Sequence, residues 1–228
     1  IFLVLTPVLS YRFLPEHEVN YNSISLQHTY TPNIEEVPHH VLIIYSNLFC
    51  SGSLVSSITV VTAASCFWKN TDEKVMVKVG SNILSDGKNI YNVDSIKIHE
   101  YYKHLGDTDN DIALLLLKNH VSFSTGVKKI ILVEPETVLR ENTVMTVSGW
   151  STSVRRLYDN GGPAVYQDLL VGIMSFGNAE PKEPYLAVFT NISYFYRWIM
   201  LNTKRFLRRR CETNQESDFN SYSYEYAE

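Results

Sequence analysis

Glycine is scarce in this 228-residue chain. It has 10, where ordinary usage of about 7% would give roughly sixteen. Turns that need positive φ must therefore lean on Asn and Asp, or be fewer. Cysteine is scarce as well, and its count of three is odd. Cys50 and Cys66 flank a β-rich stretch and could bridge, while Cys211 stands alone in the tail. No apolar run is long enough to span a bilayer, and Ile112–Leu117 belongs in a core. An excess of one charge is also missing: 20 Lys and Arg face 24 Asp and Glu, a net charge of -4. That balance makes no case for nucleic acid or an acidic membrane as a partner. Nor does the histidine spacing support a metal. His99 and His104 lack a third ligand and read as an exposed strand-and-loop pair, and His39 and His40 would point to opposite faces of a strand. No cofactor is implied.

What is present is a 45% hydrophobic, aromatic-rich globular composition with 15 Tyr and 10 Phe. IFLVLTPVLS (1–10) reads as part of a secretory h-region, with Val8 and Ser10 as small residues before a cleavage point. The opening on Ile1, without Met or a basic n-region, fits a fragment at this end. The competing reading is a buried N-terminal strand, against which Pro7 and the polarity after Ser10 argue. Residues 11–36 show no periodicity and are expected to be irregular. Short alternating or β-branched runs follow, among them VLIIYS (41–46), KVMVKVG (74–80), YNVDSIKI (91–98), DIALLLLK (111–118), TVMTVSGW (143–150), LLVGIMSF (169–176) and YLAVFTNI (185–192). Separated by Gly, Asn, Asp and Pro turns, they point to an antiparallel barrel or sandwich. One helix is predicted over 193–207, N-capped by Ser193, with Phe195, Trp198, Ile199 and Leu201 or Asn202 on its apolar side. Residues 208–228, basic and then acidic, have too little aliphatic content to fold alone.

Several of these pieces occur together, in order, in one family. FCSGSLVSSITVVTAASC (49–66) resembles the trypsin-like serine protease segment that carries the catalytic His between two bridged cysteines. DNDIALLLL (109–117) resembles the segment of the catalytic Asp, SGW (148–150) the start of the second barrel, and DNGGP (159–163) the nucleophile loop. VGIMSFG (171–177) resembles the strand lining the substrate cleft, and LAVFTNISYFYRWI (186–199) the closing strand and C-terminal helix. VPHHVLI (37–43) fits the first barrel strand, so the likeness runs from about Val37 to about Ile199. The resemblance implies an all-β fold of two antiparallel Greek-key barrels, the first over 37–118 and the second, apparently truncated, over 119–207 together with the C-terminal helix. It also implies an oxidising, extracellular setting and a Cys50–Cys66 disulfide, a bridge that would contribute roughly 3 kcal/mol.

Acyl transfer on this template needs a hydroxyl nucleophile, a His base, an orienting Asp and backbone donors for the oxyanion. The matching positions here are Ser65, Asp111 and Asn160. A serine hydroxyl cannot take a proton as imidazole does, and a carboxamide does not attack at neutral pH. Asp111 is retained, without a His to orient, and reads as a hydrogen-bonded residue near the barrel junction. Tyr158 stands where the family has the oxyanion-loop Gly, and its side chain would crowd that space. Asp159 matches the acid that pairs with the new N-terminus after activation, yet the matching start, HTYTPNIEEVP (28–38), has no such motif and no basic cleavage residue. Between Trp150 and Asp159 only residues 151–158 remain, and the family's longer stretch there carries two strands and the floor of the specificity pocket. Three explanations stand side by side. The second barrel is rearranged, with Tyr158 and the aromatic tail over the gap; a partner completes it; or the sequence is a splice form or an incomplete gene reading.

Other features carry their own expectations. Asn191-Ile192-Ser193 is a sequon for N-glycosylation. Lys204, Arg205, Arg208, Arg209 and Arg210 form a basic run that suits a helix C-terminus or a polyanion. Tyr222, Tyr224 and Tyr226 lie in an acidic setting that suits sulfation, and Cys211 suits an intermolecular bridge giving a disulfide-linked dimer. The leading functional expectation is a secreted, non-catalytic protease homologue acting on a protein partner as cofactor, decoy or adaptor. The alternatives are a defective isoform of a serine endopeptidase and a polyanion-binding protein.

Overall fold

The computed structural model describes residues 2–8, 28–45, 48–67, 74–83, 89–103, 109–140, 143–150, 160–178 and 186–224. In chain order the strands are β1 (Phe2–Val8), β2 (His28–Tyr30), β3 (His40–Tyr45), β4 (Leu48–Leu54), β5 (Thr59–Thr62), β6 (Val75–Lys78) and β7 (Ile90–Ile98). They continue with β8 (Ala113–Leu117), β9 (Ile131–Leu132), β10 (Thr143–Gly149), β11 (Pro163–Tyr166), β12 (Leu169–Asn178) and β13 (Leu186–Asn191), and a helix, α1 (Ile192–Tyr224), ends the chain. Strands β3 to β8 close into a barrel in the order β3-β4-β5-β8-β7-β6, with β6 returning to β3.

The all-apolar run of β8 has a double use. Successive strand residues face opposite ways. Leu115 and Leu117 join Val41, Ile43, Val60, Val77 and Phe67 inside the barrel. Leu114 and Leu116 face outward and join Ile112, Met145, Val147, Leu170, Ile173, Phe195 and Ile199 in a second core. The outer face of the first barrel is thus one wall of the second core. That is why β8 is buried along its whole length, whereas the rim strand β7 alternates between exposed and half-buried positions at its start.

The second unit is a sheet in the order β13-β12-β11-β10-β1-β2, with the two-residue β9 running parallel to β12. This is the truncated second unit that the resemblance implies, with β1 and β2 joined to it from outside 119–207. Along the described strands the path runs from β13 to β2, and residues 151–159 lie outside the described residues. In it β1 pairs antiparallel with β10 over its whole length, from Phe2 opposite Gly149 to Val8 opposite Thr143. Residues 2–8, expected as part of a signal segment, therefore take a strand place here. Within 11–36, expected as irregular, His28–Tyr30 forms β2 and Ile34–Glu36 a 3-10 turn with a capping box between Asn33 and Glu36. Residues 9–27 lie outside the described residues.

The helix differs from its predicted limits at both ends. Its cap is Asn191, whose Oδ1 accepts from the backbone N–H of Ser193 at 2.9 Å and of Tyr194 at 3.4 Å. Ser193 lies inside the helix, and its hydroxyl accepts the Thr137 N–H at 2.9 Å instead. Asn caps as well as Ser does, so the neighbour able to engage Thr137 is left to do so. The buried stripe is Ile192, Phe195, Ile199, Asn202 and Phe206, with Leu201 exposed. Beyond 207 the helix runs on to Tyr224, where an unstructured tail was expected. No Gly or Pro occurs after Leu207 to stop it.

The shortage of glycine has the anticipated result. Asn89, Asn110 and Asp168 adopt positive φ, as do Lys103, Glu136 and Gln167.

Candidate functional site

Three connections deliver the positions matched to a catalytic triad. The 3-10 turn Ala64–Phe67 after β5 presents Ser65 and is tied to β4 by the Cys50–Cys66 disulfide, with Cα atoms 6.3 Å apart. The residues entering β8 present Asp111. The turn entering β11 presents Asn160. These side chains converge: Asn160 Nδ2 donates to Ser65 Oγ at 2.8 Å, and the Ser65 N–H donates to Asp111 Oδ1 at 2.7 Å. From the second unit, Ser175 Oγ on β12 donates to Asp111 Oδ2 at 2.5 Å, and Thr190 Oγ1 on β13 donates to the Asp111 carbonyl at 2.8 Å.

Asp111 is 1% exposed. Burial raises the pKa of its carboxyl, and hydrogen bonds from Ser175, Ser65 and the Ala64 backbone pull the other way. The charge is therefore held by donors rather than by a cation. A carboxylate so engaged is a weak base for a serine hydroxyl. The Ser65 hydroxyl in turn accepts a hydrogen bond from the Asn160 amide. The row Asn160–Ser65–Asp111 thus brings together the positions matched to nucleophile, base and acid, joined side chain to side chain between Asn160 and Ser65 and through the Ser65 backbone N–H to Asp111.

The loop carrying Asn160 is fixed by its backbone. The Asn160 carbonyl accepts from the Ser51 N–H at 3.0 Å, Gly161 N–H donates to the Met174 carbonyl at 2.7 Å, and Met174 N–H donates to the Gly162 carbonyl at 2.8 Å. Gly161 has φ +83°, and a Cβ there would overlap the Ser51 carbonyl oxygen and Thr62 Oγ1. Only glycine meets both conditions. Tyr158 and Asp159, matched to the oxyanion and activation positions, lie outside the described residues, as does His104.

One histidine does meet a serine. His40 Nδ1 is 2.6 Å from Ser148 Oγ, and its Nε2 is 3.0 Å from Ser51 Oγ. His40 and Ser148 are 1% and 3% exposed, and Trp150 stands edge-on to the imidazole at 6.0 Å. Burial, with His39 beside it, holds the His40 imidazole well below its usual pKa. Both ring nitrogens are occupied by hydroxyls, and among the described residues no carboxylate is hydrogen-bonded to the ring. The pair joins β3 and β4 of the barrel to β10 of the sheet. Sequence reasoning set His40 aside as one of two adjacent strand histidines. Its partner lies 108 residues away, and no local pattern marks that pairing.

His99, expected to be exposed, is half-buried between Phe195 and Trp198, with ring centroids 5.1 and 5.0 Å away. Trp198 Nε1 also donates to Glu100 Oε2 at 2.8 Å. These contacts hold α1 against β7 of the barrel. In the basic run, Lys204, Arg205, Arg208 and Arg209 are exposed, while Arg210 Nη1 donates to the Leu117 carbonyl at 2.9 Å and so helps fasten the helix. The side chains of Cys211, Tyr222 and Tyr224 lie outside the described part of the structure, and so does Tyr226 altogether.

A closed barrel, a second sheet built against its outer face, a C-terminal helix, and a carboxyl at the seam facing the disulfide-tied turn and the Asn-Gly-Gly loop together define the class: a chymotrypsin-type fold. The trypsin family model matches residues 27–157, more than half of the 228 residues, and the chain belongs to the trypsin family. It is 25% identical to trypsin epsilon of Drosophila erecta over 218 residues, covering 75% of this chain and 84% of that protein. It is also 25% identical to the vitellin-degrading protease of Bombyx mori over 229 residues, covering 77% and 86%. Among solved structures, the scabies mite inactivated protease paralogue S-I1 superposes with a TM-score of 0.61 at 21% identity, over 77% of this chain and 98% of that one. Neuropsin of mouse brain gives 0.59 at 21% identity, over 76% and 97%. At such identity the superpositions speak for the fold alone.

Proposed function

We propose that this trypsin-family chain is a secreted homologue that does not cleave peptide bonds and acts by binding a protein partner, as a cofactor, decoy or adaptor in a proteolytic setting. The observation that carries the reading is the row Asn160–Ser65–Asp111. An amide hydrogen-bonded to a hydroxyl at 2.8 Å occupies the places of nucleophile and base. Without imidazole there is no group with a pKa near neutral to take the nucleophile's proton, and without a hydroxyl at 160 there is none to take. The Cys50–Cys66 bridge supports an oxidising compartment. No described helix is long and apolar enough to cross a membrane.

The test is to secrete the full chain from insect cells and expose it to a fluorophosphonate probe and to a mixed peptide library. Neither labelling nor cleavage is expected. Covalent labelling of any residue, or cleavage above that of a mock preparation, overturns the reading. The expected inertness also has a converse. Because the three positions converge, the double variant Ser65→His, Asn160→Ser is designed to put an imidazole beside Asp111 and a hydroxyl beside the imidazole. Labelling of Ser at 160 in that variant alone would show that two side chains separate the chain from covalent chemistry.

A second reading, a defective isoform of a serine endopeptidase, is favoured by one observation: only residues 151–158 lie between Trp150 and Asp159. A transcript that restores His at 65, Ser at 160 and the missing stretch would decide for it.

A further inference from the structure

We propose that Asn191 carries an N-linked oligosaccharide, attached during synthesis and then sealed in place by folding. Asn191-Ile192-Ser193 is the only Asn-X-Ser/Thr sequence in the 228 residues. Asn191 ends β13, caps α1 and is half-exposed. Its two amide atoms are in different situations. Oδ1 is committed to the helix, accepting from Ser193 and Tyr194. Among the described residues Nδ2 makes no hydrogen bond, and it is not among their buried unpaired polar atoms, which are His39 Nε2, Ser53 Oγ, Thr59 Oγ1, Trp150 Nε1 and Thr203 Oγ1. The nitrogen that would hold a sugar is therefore the one the fold does not use.

The chemistry is compatible with the cap. Transfer forms a bond from Nδ2 to the anomeric carbon of a lipid-diphosphate-linked oligosaccharide, breaks that carbon's bond to the diphosphate oxygen, and releases one amide proton. The product is a secondary amide whose carbonyl still accepts from Ser193 and Tyr194, so the helix start survives modification. In the folded chain the sequon is dismantled: Ser193 is 5% exposed and its hydroxyl is held by the Thr137 N–H at 2.9 Å. A transferase that reads the hydroxyl must act before Thr137 reaches it, while the chain is entering the secretory compartment. Tyr194, 67% exposed beside the cap, gives the first sugar an aromatic face to rest on.

This inference shares with the proposed function only the secretory compartment, and it is independent of whether the chain cleaves anything. The experiment uses the full chain secreted from insect cells and treated with peptide-N-glycosidase. A single downward step in mass is expected, with Asn191 read as Asp in the tryptic peptide. Asn191→Gln and Asn191→Asp should both lack the step. The Asp variant keeps an acceptor at the cap and so should be secreted in folded form. Wild-type protein secreted with its Cys50–Cys66 bridge formed but showing no step overturns the proposal, and so does a step that persists in Asn191→Asp. Material refolded without a glycan and then offered to the transferase should remain unmodified; modification there would refute the sealing by Ser193 and Thr137. Fluorophosphonate labelling of the same preparations reports on the proposed function separately.

Discussion

The first barrel and the second sheet are assembled from similar strands, yet among the described residues one closes and the other runs as an open path. In the barrel each of six strands has two neighbours, and Leu115, Val60 and Val77 are wholly buried in a ring that leaves no edge. In the sheet the path ends at β13 and at β2, and β10 takes β1 as a neighbour. The difference shows where cohesion resides. A closed barrel holds its own core, whereas the sheet depends on a borrowed wall, the Leu114 and Leu116 face of β8, and on the helix across it. The seam between them is polar, joined through His40 between Ser51 and Ser148, and Asp111 with Ser175 and Thr190.

The sharpest way to break this comparison is to make one cavity in each region. Leu115 and Leu170 are both 0% exposed. Leu115→Ala should cost near the upper end of the usual range, about 5 kcal/mol, because a closed ring cannot collapse around the void. Leu170→Ala should cost nearer 2 kcal/mol, because an open sheet can. Urea midpoints of the two variants measure the gap, and equal losses would remove the distinction. Next in size is the bridge: the paired change Cys50→Ala, Cys66→Ala should lower stability by roughly 3 kcal/mol, read as a loss of Tm that spares strand content.

The seam should respond to acid. His39 is held to a pKa of about 4 by burial, and His40 well below 6.5 by burial and by His39. Both are neutral in the fold and charge once released. The unfolded chain therefore binds more protons below about pH 6.5, and stability falls as pH drops from there toward 4. For His39 alone the loss approaches about 3 kcal/mol. Urea midpoints at several pH values should show this slope, and His39→Gln with His40→Gln should flatten it. A slope that is unchanged in the double variant would assign the acid response elsewhere.

The smallest expected effect concerns Asp111. Ser175→Ala removes one donor from a buried carboxylate and should cost about 1.5–3 kcal/mol at neutral pH. It should cost less in acid, where the carboxyl can protonate. A loss that does not shrink on acidification would mean that Asp111 is not held as an anion by Ser175.

Much of this arrangement was legible in the chain because its signals are local. VLIIYS, KVMVKVG and DIALLLLK declare strands by period or by continuous apolarity, and TAASC, DNDIALLLL and DNGGP place Ser65, Asp111 and Asn160 on known loops. What was not legible depends on distant partners. Nothing near His40 announces Ser148, and nothing in FLVLTPV announces β10. The helix start was misplaced by one hydroxyl, since whether Ser193 caps or binds elsewhere is decided by Thr137. The helix end is not legible because the polar composition after Leu207 points to disorder, while the absence of Gly and Pro leaves the helix running on to Tyr224.

Gly161 has a consequence for how this site can drift. Position 160 faces Ser65 with its side chain alone, so exchanging that side chain disturbs one hydrogen bond. Position 161 is wedged against the Ser51 carbonyl and Thr62, so any replacement there must part the loop from the barrel. Mutational tolerance therefore changes from permissive to forbidding across one peptide bond. The seat is preserved by packing against β4 and β5, whatever residue occupies it, so the shape of the loop carries no information about what stands at 160.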